Sequence, residues 1–464
     1  MRARPIAVGL FSLAILAGVI GFAPLFPVFS SGPDSPTFLF TVAKRYEPLA
    51  WIRGADRFSS GANIFLQDAS GRHPLITSFA ASADPAVSFD GKSLLFAGKQ
   101  KAEDHWQIWE VALDATTPSS APRRVTSCAD DCVRPFYLPG YLPGDRVVYA
   151  KKTGGRFVVE AADRATGKTL QLTYGPGNFL ATDVLRDGRI LFEATYPLGG
   201  QGTPELYTVY SDGSGVESYR CDHGHARYSG RQIGSGDIVF TSSSGLGRFT
   251  SARAQEVHIA APAGEYAGDA VETLSGDWLV AWRSDAKSNF QLKRWKPGGG
   301  SLSSVAEEQG ADVIQPALVA GRTVPNRHPS GLHDWSYANL LCLNAYTSKY
   351  KFAAGSIHSV RLYTRDSTGT AKLLGEAPVE RDGSFFLQVA ADQPLQIEVL
   401  DGSGKTLKRQ AGWFWIRRGE QRACVGCHAG PETAPENAVP MILLKSTTPA
   451  DMTGTSTQVS SGGH

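Results

Sequence analysis

The sequence predicts a mainly β chain: a six-bladed β-propeller, then a small β-sandwich-like module, then a C-terminal segment that attaches a c-type haem. Three observations predict it. Between about residues 45 and 325, a Gly-containing turn and a following β-branched or aromatic run recur at roughly 40–50-residue spacing. Composition agrees: 50 Gly, 27 Pro and 19% charged residues suit many short strands joined by turns better than helical bundles. Near the C-terminus, Cys424-Val425-Gly426-Cys427-His428 reads C-x-x-C-H, the attachment signature of a c-type haem.

Residues 1–30 read as an export segment. Arg2 and Arg4 supply the positive start, no charge follows from Pro5 to Ser30, and Leu10 to Phe22 is strongly apolar. The apolar run is long enough to span a bilayer, and no clean small-x-small cleavage site precedes Ser31. A cleaved signal peptide and an inner-membrane anchor over residues 5–29 both fit. Either sends the rest of the chain to the periplasm or another extracytoplasmic space. The formal charge of +2, with both signs interspersed, offers no basic stripe, so nucleic acid is not an expected partner.

The repeat over 45–325 shows best at Phe89-Asp90-Gly91-Lys92-Ser93-Leu94-Leu95-Phe96. It returns at Gly144–Tyr149, Arg186–Phe192, Ser235–Phe240 and Ser275–Val280. The first member lacks the turn and is expected to keep a strand over Pro48–Arg53. A second strand follows each, as in Ile108-Trp109-Glu110-Val111 and Leu206-Tyr207-Thr208-Val209. Six units of about four strands make a six-bladed propeller. From Asp84-Pro85-Ala86-Val87 through Phe96 and on to Val111, the unit resembles the PD40 (TolB-like) propeller repeat, which implies a blade and no particular activity.

Residues 326–420 read as short strands again: 339–343, 359–363, and two runs in hairpin-like order at 384–389 and 395–400. Trp413, Phe414 and Trp415 then offer flat apolar surface for a porphyrin, and Arg417, Arg418 and Arg422 are candidate propionate partners. The same aromatics equally suit a module core, and the arginines a solvated edge. Residues 421–464 hold the haem motif and a Pro-, Thr- and Ser-rich tail too short to wrap a haem alone.

The stretches 339–343, 383–399, 412–418, 424–428 and 431–440 resemble the family of the hydrazine synthase alpha subunit middle domain. The resemblance implies an exported propeller–module–haem protein. In that family the synthase has a Tyr just after the motif that ligates the iron. Here Ala429, Gly430, Pro431 and Glu432 follow, which leaves His428 as the axial ligand. Hydrazine synthesis uses a multi-subunit, multi-haem assembly in the family and is not expected of a chain with one haem motif.

The expected cofactor is one covalent haem c on Cys424 and Cys427, with His428 on the iron. Candidate sixth ligands are Met441 and Met452, the only methionines after Met1. His328, His333, His358, His223, His225 and His258 are further candidates, with Cys221-Asp222-His223-Gly224-His225 the densest ligand cluster. His73, His105 and His464 have no distinguishing context. Cys128 and Cys132, four apart, are expected to form a local disulfide, with a metal pair as the alternative. Cys221 and Cys342 either bridge the two regions or stay as thiols. The function expected is electron transfer to a redox partner protein. A haem-dependent oxidoreductase with open iron, or a haem-based sensor, is the alternative.

Overall fold

The computed structural model describes residues 37–454, except 115–116, 119–120, 141–144, 199, 201, 221, 366–368 and 427–436. The export segment, Cys221, Cys427, His428 and His464 therefore lie outside the described residues, and so do residues 429–436, which follow the haem motif. Among the described residues no helix is long and apolar enough to cross a membrane.

Burial along the strands explains where each one sits. Ala81–Val87, Cys132–Leu138 and Phe179–Val184 are buried at every position, as strands flanked on both faces must be. Ser359–Arg365 and Phe385–Ala390 alternate buried and half-buried residues, as strands with one covered face do. The described chain is nearly all β, arranged in eight antiparallel or mixed sheets of four or five strands.

The first six sheets follow the chain from residue 38 to 318 and form a β-propeller. Each is an antiparallel meander, as in Cys132–Leu138, Arg146–Thr153, Arg156–Asp163 and Thr169–Gln171. The last strand, Asp312–Leu318, pairs with the first, Phe38–Ala43. Chain ends sealed into one sheet close the ring and remove its open edges. The inner strand of each sheet is bulged or, in the fifth sheet, broken at an equivalent place. Five of these hold a non-glycine residue with positive φ: Asp84 (56°), Arg134 (53°), Ser229 (52°), Asp269 (55°) and Gln315 (53°). Such backbone costs about 1–3 kcal/mol per residue and persists only where partners hold it.

Residues 48–53 are not a strand. Ala50–Arg53 form a 3-10 turn that ends on Gly54 and buries Trp51 in the propeller core. The pairing partner that a strand there would need is already taken by Phe38–Ala43, which precedes the repeat as read from sequence.

Two sheets make a sandwich over residues 337–452. One runs Gln421–Cys424, Tyr337–Cys342, Phe385–Ala390, Ala450–Met452; the other runs Ala371–Pro378, Ser359–Arg365, Leu395–Leu400, Thr406–Arg409. Leu340, Leu387 and Val389 of the first face Val360, Leu362, Leu395 and Val399 of the second. The runs at 384–389 and 395–400 are thus not a hairpin. They lie in opposite sheets, with the chain crossing between them at Asp392 (φ 59°).

The sandwich packs on the third and fourth propeller sheets. Trp415 is fully buried, its ring 5.6 Å from that of Phe179. Arg417 forms an ion pair with Asp392 of the sandwich and donates to the Tyr174 hydroxyl at 2.6 Å and to the Asp212 carbonyl at 3.1 Å. Gly215 N–H donates to the Glu420 carboxylate at 3.1 Å. Trp415 and Arg417 therefore hold the two parts together and are not free for a cofactor.

Candidate functional site

Cys424 ends the strand Gln421–Cys424, which runs parallel to Tyr337–Cys342 and sets Cys424 directly opposite Cys342. Paired residues on neighbouring strands face the same way. Both thiols therefore line one cleft, which opens between the two sheets of the sandwich and has a volume of about 210 Å³. Its apolar walls include Leu340, Phe385, Ile397, Val399 and Phe414, and its charged residues are Lys408 and Arg422. Burial pushes the Cys424 thiol up, while Arg422, hydrogen-bonded to it, pulls the other way; the net shift is upward. Gly426 admits the motif to this place: a Cβ there would meet the Thr347 carbonyl oxygen at 2.1 Å.

The chemistry of the cleft fits the edge of a haem. A thiol stands on an apolar slot between sheets, with two cations among its lining residues. At about 210 Å³ the cleft is smaller than the roughly 300–1,000 Å³ of pockets that enclose small molecules, so it has room for no more than one edge of a macrocycle. Of the sequence-derived haem neighbours, Phe414 and Arg422 line the cleft. Arg422 also donates to the Val216 carbonyl of the propeller. Trp413 packs on the propeller core, and Arg418 is exposed.

Residues 344–429 match the hydrazine synthase alpha subunit middle domain.

The resemblance drawn from the motifs is thereby shown over that stretch. Hydrazine synthase subunit alpha of Kuenenia stuttgartiensis is 27% identical over 93 residues, which are 19% of this chain and 12% of that subunit. The matched part therefore spans about an eighth of the length of that relative. The fold extends further. A solved Kuenenia stuttgartiensis hydrazine synthase chain superposes with a TM-score of 0.75 at 17% identity, covering 90% of this chain and 75% of that one. TolB from Acinetobacter baumannii aligns over 64% of this chain and 68% of its own, at 14% identity and a TM-score of 0.41.

The two methionines part company. Met452 is buried in the sandwich core on the strand Ala450–Met452, not in a loose tail. Two strands separate it from Gln421–Cys424, about 14 Å at normal strand spacing, so it serves as core and is withdrawn as an iron ligand. Met441 is half-buried at the start of the helix Met441–Lys445. Its N–H donates to Asp382 at 2.7 Å, and Ile442 N–H donates to the Ser384 hydroxyl at 3.1 Å. Those contacts sit next to Phe385, a wall of the cleft.

The histidines are scattered. His223 Nδ1 lies 2.7 Å from the buried Glu205 carboxylate, and its ring stacks on Tyr196 at 3.7 Å. His328 stacks on Tyr210, and His333 on Trp335. His358 sits against Gly402, while His225 and His258 are exposed. His105, without context in the sequence, lies near Asp130 and Asp131 in the loop closed by the Cys128–Cys132 disulfide.

Sequence reasoning missed Cys342 as a wall of the Cys424 cleft. It also missed a buried network inside the propeller. Arg57 pairs with Asp84 at 2.6 Å, Arg134 with Asp269 at 2.8 Å, and Gln315 donates to Asp84 at 2.6 Å. Burial raises the Asp269 carboxyl, but Arg134 and Arg231 overcome it and hold it at about 2. Glu193, whose carboxylate accepts from Ser229 N–H at 2.6 Å, is pushed up to about 7 by burial. The sequence did carry a signal: Asp84, Arg134 and Gln315 each precede a proline.

Proposed function

We propose that this chain is an exported mono-haem c-type cytochrome that passes electrons to a partner protein docked on a six-bladed propeller. The six sheets between residues 38 and 318 are read as its blades. Cys424 and Cys427 carry the haem through thioethers, and His428 ligates the iron. The observation that carries this reading is the placement of Cys424: the first motif thiol stands on an apolar cleft beside Arg422 and Lys408.

Bound there, a haem supplies reversible one-electron chemistry at its iron. The chain's part is to hold and bias it. Phe385, Ile397, Val399 and Phe414 exclude water from the macrocycle edge, and a dry setting favours the iron state of lower charge. Arg422 and Lys408 offer charge to propionates. Met441, held beside Phe385 through Asp382, would be the methionine available to the iron. Residues 1–30 export the chain and either leave it or anchor it. The family match over residues 344–429 favours one second reading: a haem-dependent oxidoreductase with open iron. Hydrazine synthesis itself is not proposed.

Absorption spectra of protein matured with covalent haem, reduced with and without CO, decide between the two. A low-spin spectrum unmoved by CO supports electron transfer. A high-spin spectrum that shifts with CO overturns it in favour of the oxidoreductase. The Met441→Ala variant should convert the first spectrum into the second.

A further inference from the structure

A second cleft, about 570 Å³, opens where the inner strands of all six propeller sheets end. Ala317, Ala86, Phe136, Asp183, Arg231 and Ala270 line it, one from each sheet in turn. The chain then crosses this mouth as it leaves the propeller. Arg322 N–H donates to the Phe89 carbonyl at 2.8 Å, and Asn326 N–H to the Arg186 carbonyl at 2.7 Å. The crossing is close: a Cβ on Gly188 would meet the Asn326 carbonyl oxygen at 2.1 Å. This strap is fixed at both ends, and Arg322 rides on it.

The charges of the cleft are unevenly satisfied. Asp183 accepts from the N–H groups of Val184 and Gln232, both at 2.8 Å, and Glu272 accepts from Gly234 N–H. Arg231 is shared between Asp183 and Asp269, and Arg186 donates to the Ile233 carbonyl. Arg322 differs. Its guanidinium lies 4.5 Å from the Phe89 ring centre, with no acidic side chain of the described residues at ion-pair distance. A carboxylate is what a planar, held guanidinium beside a second arginine recognises. The walls between are apolar, with Val87, Val184, Val271 and Leu318 among them.

We propose that the channel mouth beneath the strap binds a small organic acid, its carboxylate on Arg322 and its apolar body against the inner-strand ends. The site is separate from the Cys424 cleft and does not depend on haem.

Isothermal titration with hexanoate, acetate and inorganic phosphate tests it on the purified full chain. Hexanoate is expected to bind saturably and more tightly than acetate, and to weaken with added salt. Arg322→Gln should weaken hexanoate at least tenfold. Leu274→Ala, at an 86% exposed wall residue, should weaken hexanoate and leave acetate unchanged. Both positions are solvent-exposed, so unaltered thermal unfolding is expected of each variant. No saturable binding, equal binding by Arg322→Gln, or phosphate binding as tightly as hexanoate would overturn the proposal.

Discussion

Cys342 lies directly opposite Cys424 on the neighbouring parallel strand, and both thiols line the same cleft. Only Cys424 belongs to C-x-x-C-H. Cys342→Ala should therefore keep covalent haem, as read by peroxidase staining of a denaturing gel. It removes a buried sulfur from the sandwich core, so urea unfolding should show a loss of about 1 kcal/mol. Loss of covalent haem in this variant would make Cys342 part of the attachment chemistry.

Arg417 ties the sandwich to the propeller through Asp392, Tyr174 and Asp212. Arg417→Ala removes the charge partner of Asp392 and both propeller contacts. Breaking a largely buried pair of this kind costs about 3 kcal/mol. Urea unfolding should move from one transition toward two, and limited proteolysis should cut near residues 319–336. A single transition at the wild-type midpoint would show that Arg417 contributes nothing to the docking.

Glu193 makes the propeller sensitive to pH. Its folded pKa, about 7, lies above the ordinary carboxyl value of 4.5, with burial as the main cause. The folded state therefore keeps a proton that the unfolded chain releases. Stability from this group is whole below about pH 4.5 and is lost as pH rises through about 7. The loss is on the order of 3 kcal/mol. Glu193→Gln should flatten the stability profile between those values, measured by urea unfolding at a series of pH values. Asp84 and Asp269 act in the opposite sense and only in acid, because their arginines hold them below the usual carboxyl range. An unchanged slope in Glu193→Gln would remove Glu193 as its source.

Much of this was legible in the sequence because it is local. Turns such as Asp90-Gly91 and Asp187-Gly188, with the hydrophobic runs after them, mark strands that lie where the pattern put them. The Cys128–Cys132 bridge needs only a short loop. What failed is non-local. Parallel pairing of 421–424 with 339–342 joins residues far apart in sequence, so nothing near Cys342 announced Cys424 as its neighbour. Met452 looked loose because its strand pairs in parallel with Phe385–Ala390, again across a long separation. The runs at 384–389 and 395–400 had hairpin spacing, but sandwich packing sent them to opposite sheets. Trp415 and Arg417 looked like haem neighbours because they precede the motif, whereas they are spent on the propeller.

The proposed electron transfer requires a covalent haem at Cys424 and Cys427. Mass spectrometry of the chain, made in a host that matures c-type haem and then digested, tests this most directly. One haem is expected on the peptide that spans residues 423–428, and none in the Cys424→Ala, Cys427→Ala double variant. A wild-type peptide with both thiols unmodified would contradict it.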